Sequence, residues 1–233
     1  MEGGRVSDER PVEASAVADR YRGLADEVRT LGGDRVRIVA VTKTFPPEAI
    51  AAVVAAGCER IGENYARELI DKWERFASAH RAGPVPEVHF IGGLQSNKVR
   101  SLVGIVEVWQ SVDRESVVAE LSRRRPGARI LLQVNATGES DKGGCRPDQL
   151  DALMSAATSG GLTVEGLMTV GPTDGDPERT ENAFRTVARL ASDLDLPELS
   201  MGMSGDWRVA VAQGSTLIRV GSAIFGERPP RTL

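Results

Sequence analysis

Cysteine, histidine, aromatic residues and lysine are all scarce in this 233-residue chain, and each scarcity removes a class of chemistry. Two cysteines, Cys58 and Cys145, are too few for a disulfide framework. Two histidines, His80 and His89, offer no metal-ligand spacing, so neither a disulfide nor a metal is expected. No apolar run approaches the ~20 residues needed to span a bilayer. The polar N-terminus MEGGRVSDERPVEAS lacks a secretory core, so the expectation is a cytoplasmic protein whose residues 1–10 are flexible. An excess of positive charge is missing too: the formal net charge of −4 argues against a general nucleic-acid surface. The one dense basic run, Arg123 to Arg125, stops before Pro126 and reads as the end of a helix.

The scarcity of lysine is the most informative. Among 29 cationic residues the lysines are Lys43, Lys72, Lys98 and Lys142. Genome composition alone can produce such a bias. An amine that must lose its proton and attack a carbonyl, however, cannot be replaced by arginine, so each remaining lysine is a candidate for that chemistry.

What is present is a globular composition, 41% apolar and 27% charged, arranged as eight short β-branched runs alternating with amphipathic segments. The runs cover 36–43, 59–63, 88–93, 105–112, 129–136, 163–170, 198–203 and 217–222, and each but the last precedes a helix candidate. Helices are expected over PEAIAAVVAAG, NYARELIDKWERFA, RESVVAELSRRR, RPDQLDALMSAA, PERTENAFRTVARLASDL and DWRVAVAQG. A further amphipathic segment, roughly 12 to 31, is expected to cover the bottom of the sheet or flank its side. An open doubly wound sheet usually carries a glycine-rich nucleotide fingerprint after its first strand, and none follows Lys43. The fold expected is therefore α/β: a single parallel (βα)8 barrel of the TIM type over 11–233, with an extra N-terminal helix.

In that fold the strand ends build the site. Lys43 would close strand one on the inward side with Val39 and Val41, where apolar walls favour the neutral amine. A lone strand-end lysine that snorkels to solvent is the plain alternative. Strands seven and eight end in SMGMSGDW and IRVGSAIFG, which put Ser204, Gly205, Gly221 and Ser222 on adjacent loops. Glycine admits close backbone approach and serine donates a hydroxyl, so together they suit a phosphate, although ordinary helix capping would use the same residues. Arg219, two residues before Gly221, shares its face and would be an inward cation. It suits a pyridine nitrogen, or else an interior salt bridge to Glu63 or Asp113.

Taken together, VTKTFP, IGENYARE, HFIGGLQSNK, QVNATGESDKGG, EGLMTVGP and SMGMSGDWRVAVAQGSTLIRVGSAIFG resemble the pyridoxal phosphate homeostasis proteins, in family order from about Val36 to Gly226. The resemblance implies the fold-type III barrel shared with the N-terminal domain of alanine racemase, and pyridoxal 5′-phosphate as cofactor. It implies a Schiff base on Lys43, phosphate held by Ser204, Gly205, Gly221 and Ser222, and Arg219 at the pyridine nitrogen. Asn64, His89 and Met201 would line the cofactor, though a helix cap, a satisfied strand histidine and core packing are their plain readings. Ser222 stands where threonine is as common, and Trp207 occupies a variable place in the motif. Lys98 and Lys142, in loops after strands three and five, could accept the aldehyde during handover.

Racemisation needs an acid and a base on opposite faces, and in alanine racemase the second group comes from a C-terminal domain beyond the barrel, which these residues do not encode. Of Tyr21 and Tyr65 only Tyr65 is placed to substitute, and packing at a helix start is its simpler role. The expectation is thus a binding protein for pyridoxal phosphate, acting in vitamin B6 homeostasis and able to pass the cofactor to apo-enzymes, as a monomer or weak dimer. A low-activity racemase, or an unrelated phosphate-binding barrel enzyme, is the alternative.

Overall fold

A computed structural model of the chain describes residues 12–31, 34–80 and 83–227. The segment expected to be flexible, 1–10, lies outside them. Eight parallel strands close in sequence order: β1 (Arg37–Val41), β2 (Arg60–Glu63), β3 (Glu87–Phe90), β4 (Val108–Val112), β5 (Arg129–Gln133), β6 (Thr163–Met168), β7 (Glu198–Ser200) and β8 (Leu217–Val220). β8 returns to β1 with Arg37 opposite Leu217 and Ala40 opposite Val220. The expected TIM-type barrel is observed.

Period-two alternation in each strand sorts side chains between two cores. Val39, Val108, Leu131, Met168 and Leu217 fill the barrel interior. Their neighbours Ile38, Ala40, Trp109, Ile130, Leu132, Ile218 and Val220 face outward into the larger core beneath the helices. The helices are α1 (Ala14–Thr30), α2 (Pro47–Ala55), α3 (Ala66–Ala79), α4 (Ser96–Leu102), α5 (Glu115–Arg124), α6 (Leu150–Ser159), α7 (Pro177–Asp193), α8 (Trp207–Ala212) and α9 (Ser222–Phe225). Pro47 at the first position of α2 and Asp176 capping α7 through the Arg179 amide at 2.8 Å are the start signals that the sequence carried.

Two expectations are corrected. Strand one ends at Val41, so Lys43 lies in the turn that follows, because Thr44 takes a left-handed φ of 67° and turns the chain toward α2. Lys98 sits on α4 rather than in a loop. Of the two places expected for the N-terminal helix, α1 takes the barrel side, packing against α2 and α9. Arg20 of α1 ties the pair by donating to the Ile224 carbonyl at 2.7 Å. The long α1 thereby completes the helical ring where α9 is only four residues long.

Candidate functional site

The C-terminal ends of four adjacent strands, β7, β8, β1 and β2, bring the candidate residues onto one arc of the rim. Gly221 follows β8 and lies against β1: a Cβ there would stand 3.3 Å from the Val41 carbonyl oxygen, two residues before Lys43. Asn64 follows β2 on the other side, and the backbone of Gly92 presses on it so closely that a Cβ would come within 2.1 Å of the Asn64 carbonyl oxygen. Lys43 is half-buried between these neighbours.

The turn that carries Lys43 is braced from below. Lys72 of α3 is buried, and its Nζ donates to the Thr42 carbonyl at 2.7 Å, to Glu63 at 2.6 Å and to Glu68 at 2.9 Å. Thr42 Oγ1 donates to Glu63 at 2.7 Å, and the Thr44 amide donates to Glu68. Burial pushes the Glu63 carboxyl up, while the Lys72 ammonium and the Thr42 hydroxyl pull it down. Both residues flanking Lys43 in sequence are therefore fixed by one ion-paired cluster. Lys72 is part of that frame rather than an available amine, which its sequence position did not reveal.

Arg219 is buried inside the barrel, donating to Ser200 Oγ and to the Thr169 carbonyl, each at 2.7 Å. The interior salt bridge weighed for it does not form, since Glu63 pairs with Lys72 and Asp113 with Arg114. Burial lowers the guanidinium pKa to about 10, against an upward pull from Asp206, so the cation persists at neutral pH, hydrogen-bonded to two neutral oxygens. Ser204 joins the two candidate phosphate loops, its Oγ accepting from the Gly221 amide at 3.3 Å and the Ala223 amide at 3.4 Å. Gly205 and Ser222 are exposed beside it.

The remaining candidates stand apart. Both His89 ring nitrogens are engaged by protein, Nε2 with Glu87 at 2.7 Å and Nδ1 with Gln110 at 2.6 Å, leaving only its carbon edges for a ligand. Met201 packs in the outer core under the helices. Tyr65 is 42% exposed beside Phe45, Glu68 and Arg75 in the cleft between α2 and α3. Lys142 pairs with Glu139 at 2.9 Å and donates to the Gly171 carbonyl, bridging the loops after β5 and β6. No cluster of three or more potential metal ligands occurs among the described residues. No helix among them is long and apolar enough to cross a membrane.

Sequence reading missed a belt of charge on the barrel floor. Arg37 pairs with Glu198, Arg60 and Arg129 with Glu87, and Arg129 with Glu165. The signal was present: five strands begin with a charged residue, Arg37, Arg60, Glu87, Arg129 and Glu198.

The family model "Alanine racemase, N-terminal domain" matches residues 12–229. The pyridoxal phosphate homeostasis protein of Deinococcus radiodurans is 41% identical over 220 residues, covering 91% of this chain and 94% of its own length. That of Vibrio cholerae is 40% identical over 203 residues, covering 83% and 86%. Among solved structures, PipY of Synechococcus elongatus with pyridoxal phosphate bound superposes with a TM-score of 0.78 at 30% identity, covering 90% of this chain and 100% of that one. Alanine racemase from Corynebacterium glutamicum shares the fold, with a TM-score of 0.71 at 18% identity over 94% of this chain and 63% of its own. With these matches across nearly all of its length, the chain belongs to the pyridoxal phosphate homeostasis protein family, on the alanine racemase N-terminal domain fold.

Proposed function

We propose that this chain binds pyridoxal 5′-phosphate at the β7–β8–β1–β2 rim as a Schiff base on Lys43, and stores and delivers it within vitamin B6 homeostasis. One observation carries the reading: a half-buried lysine just past the end of β1, a buried arginine hydrogen-bonded to neutral oxygens on the neighbouring β8, and a serine that joins two Ser/Gly loops share one arc of the rim. The site fits the group. Asn64 Oδ1 and Thr44 Oγ1 are buried polar atoms with no hydrogen-bond partner, at the positions flanking Lys43, where a polar ligand would satisfy them. The relatives' names and the cofactor bound in PipY support the same identity.

When bound, the cofactor supplies an aldehyde that condenses with amines and a pyridine ring that withdraws electrons. The residues here favour holding it over using it. Arg219 stays protonated at neutral pH, so it would donate to the ring nitrogen of a bound cofactor and keep that nitrogen unprotonated, which would weaken electron withdrawal. Ser204 and Ser222 hydroxyls, with the Gly205 and Gly221 backbone, hold the phosphate. Of the two amines considered for handover, Lys142 bridges two rim loops and would have to leave Glu139 and Gly171 to react, whereas Lys98 is exposed on α4.

Transfer from the loaded chain to an apo-enzyme dependent on the cofactor tests this reading directly. Expected are activation of the apo-enzyme and no amino-acid racemisation above a Lys43→Ala control. Lysine-dependent racemisation with no transfer would overturn it. Lys142→Ala should slow transfer while equilibrium binding changes little.

A further inference from the structure

A continuous line of hydrogen bonds crosses the barrel interior from the candidate site to the floor. Arg219 Nη1 donates to Ser200 Oγ at 2.7 Å, and Ser200 Oγ donates to Gln110 Oε1 at 2.6 Å. Gln110 Nε2 lies 2.6 Å from His89 Nδ1, and His89 Nε2 lies 2.7 Å from Glu87 Oε1. Ser200 and Gln110 are fully buried, and His89 and Arg219 nearly so, at 2% and 4% exposure. Glu87, at the end of the line, is held by Arg129 at 2.6 Å and Arg60 at 3.5 Å.

The donor inventory gives this line one direction. A guanidinium only donates, so Ser200 Oγ must accept from Arg219 and has its single proton left for Gln110. The glutamine oxygen takes that proton, so its NH2 must face His89. An NH2 group facing Nδ1 requires a lone pair there, which leaves the imidazole proton on Nε2, where the Glu87 carboxylate accepts it. Each residue type is determined by the one before it.

We propose that Ser200, Gln110 and His89 are positioning residues that tie Arg219 to Glu87 through a one-way hydrogen-bond chain, holding the guanidinium in one orientation and His89 as the neutral Nε2–H tautomer. The link from this chain to the ring nitrogen rests on the function proposed above; the chain itself does not. His89 cannot gain a proton at Nδ1 unless Gln110 turns its amide over, which would remove the acceptor that Ser200 uses. The groups facing His89 are Gln110 and Glu87, with Arg60 and Arg129 beyond them. Burial and the two arginines oppose a second proton, and only Glu87 favours it.

Imidazole nitrogen NMR on the full chain without cofactor tests the direction. The chain has two histidines, and His80 Nδ1 lies 3.1 Å from the Phe76 carbonyl, so neutral His80 carries its proton on Nδ1. Opposite tautomers then distinguish the two rings. His89 should show Nε2–H and titrate below the ordinary imidazole value of 6.5. An Nδ1–H pattern, or titration at or above that ordinary value, would overturn the chain. Gln110→Glu puts an acceptor on each side of His89 and should keep it charged through neutral pH; an unmoved His89 would overturn it as well. For Arg219, loss of one hydrogen bond in Ser200→Ala should speed guanidinium N–H exchange roughly tenfold. Ser200→Thr should restore the wild-type rate, and equal rates in all three proteins would overturn the positioning role. With pyridoxal phosphate bound, Ser200→Ala should move the absorption spectrum in the same sense as Arg219→Lys. A spectrum moved by Arg219→Lys but not by Ser200→Ala contradicts the positioning role alone. A spectrum moved by neither contradicts the ring-nitrogen reading, and the experiments without cofactor still decide the chain.

Discussion

At the scale of single residues, two lysines of one chain show how environment divides a chemical type. Lys43 was legible in the sequence because an amine has no substitute in carbonyl chemistry and lysine is rare here. Lys72 was equally rare, and nothing in its local pattern disclosed a buried ammonium shared by Glu63, Glu68 and Thr42. Only the packing of α3 against the end of β2 brings those oxygens together. Breaking such a buried pair leaves an uncompensated charge, which costs about 3–5 kcal/mol. Lys72→Met should therefore lower the urea midpoint strongly, and adding Glu63→Gln should recover part of the loss. Equal stability of Lys72→Met and wild type would show that the cluster does not brace the Lys43 turn. Arg219 was legible as an inward cation from its place in the alternation, but its partners, Ser200 and Thr169, come from two other strands.

At the scale of elements, the strands were readable and their ends were not. β1, β6 and β7 each stop two or three residues short of their hydrophobic runs, because pairing ends where the rim loops leave the sheet. Lys43 is among those few residues, and Ser204 follows directly after the β7 run. α4, with the sequence SNKVRSL, is too short and polar to announce itself by periodicity, so Lys98 read as a loop residue. Met201 and Ser200 illustrate how alternation assigns faces: Ser200 enters the interior line while Met201 packs outward. The two serine loops give a prediction at this scale. Ser204 Oγ accepts only long hydrogen bonds from Gly221 and Ala223, so Ser204→Ala with Ser222→Ala should leave the thermal midpoint nearly unchanged. Hydrogen bonds to a charged group are worth about 1.5–3 kcal/mol each, so cofactor retention by equilibrium dialysis should fall at least tenfold. Unchanged retention would place the phosphate elsewhere.

At the scale of the whole molecule, closure into a parallel barrel followed from eight alternating runs and the missing nucleotide fingerprint. The charged floor did not, because its pairs form between strands, and the pattern within one strand does not show which partner each charge meets. That floor sets an acid response. The hydrogen bond from His89, and then Arg129, hold the Glu87 carboxyl down to about 2, so its contribution is complete above its ordinary value of 4.5 and fades as pH falls toward 2. Burial lowers His89 below its ordinary 6.5, so neutral His89 stabilises the fold fully above that value and progressively less below it. Both act in one direction: chemical-denaturation midpoints should fall as pH drops below about 6.5, and Glu87→Gln should flatten the lower part of the curve. Parallel curves for the two proteins would contradict this. Above that floor, Lys43 on the rim is decided by the absorption spectrum of the chain incubated with pyridoxal phosphate. A Schiff base on Lys43 gives a band at ~420 nm that borohydride abolishes, a reduced adduct that maps to Lys43, and no such band in Lys43→Ala. A band that persists in Lys43→Ala, or an adduct that maps to Lys142 or Lys98 instead, would contradict it.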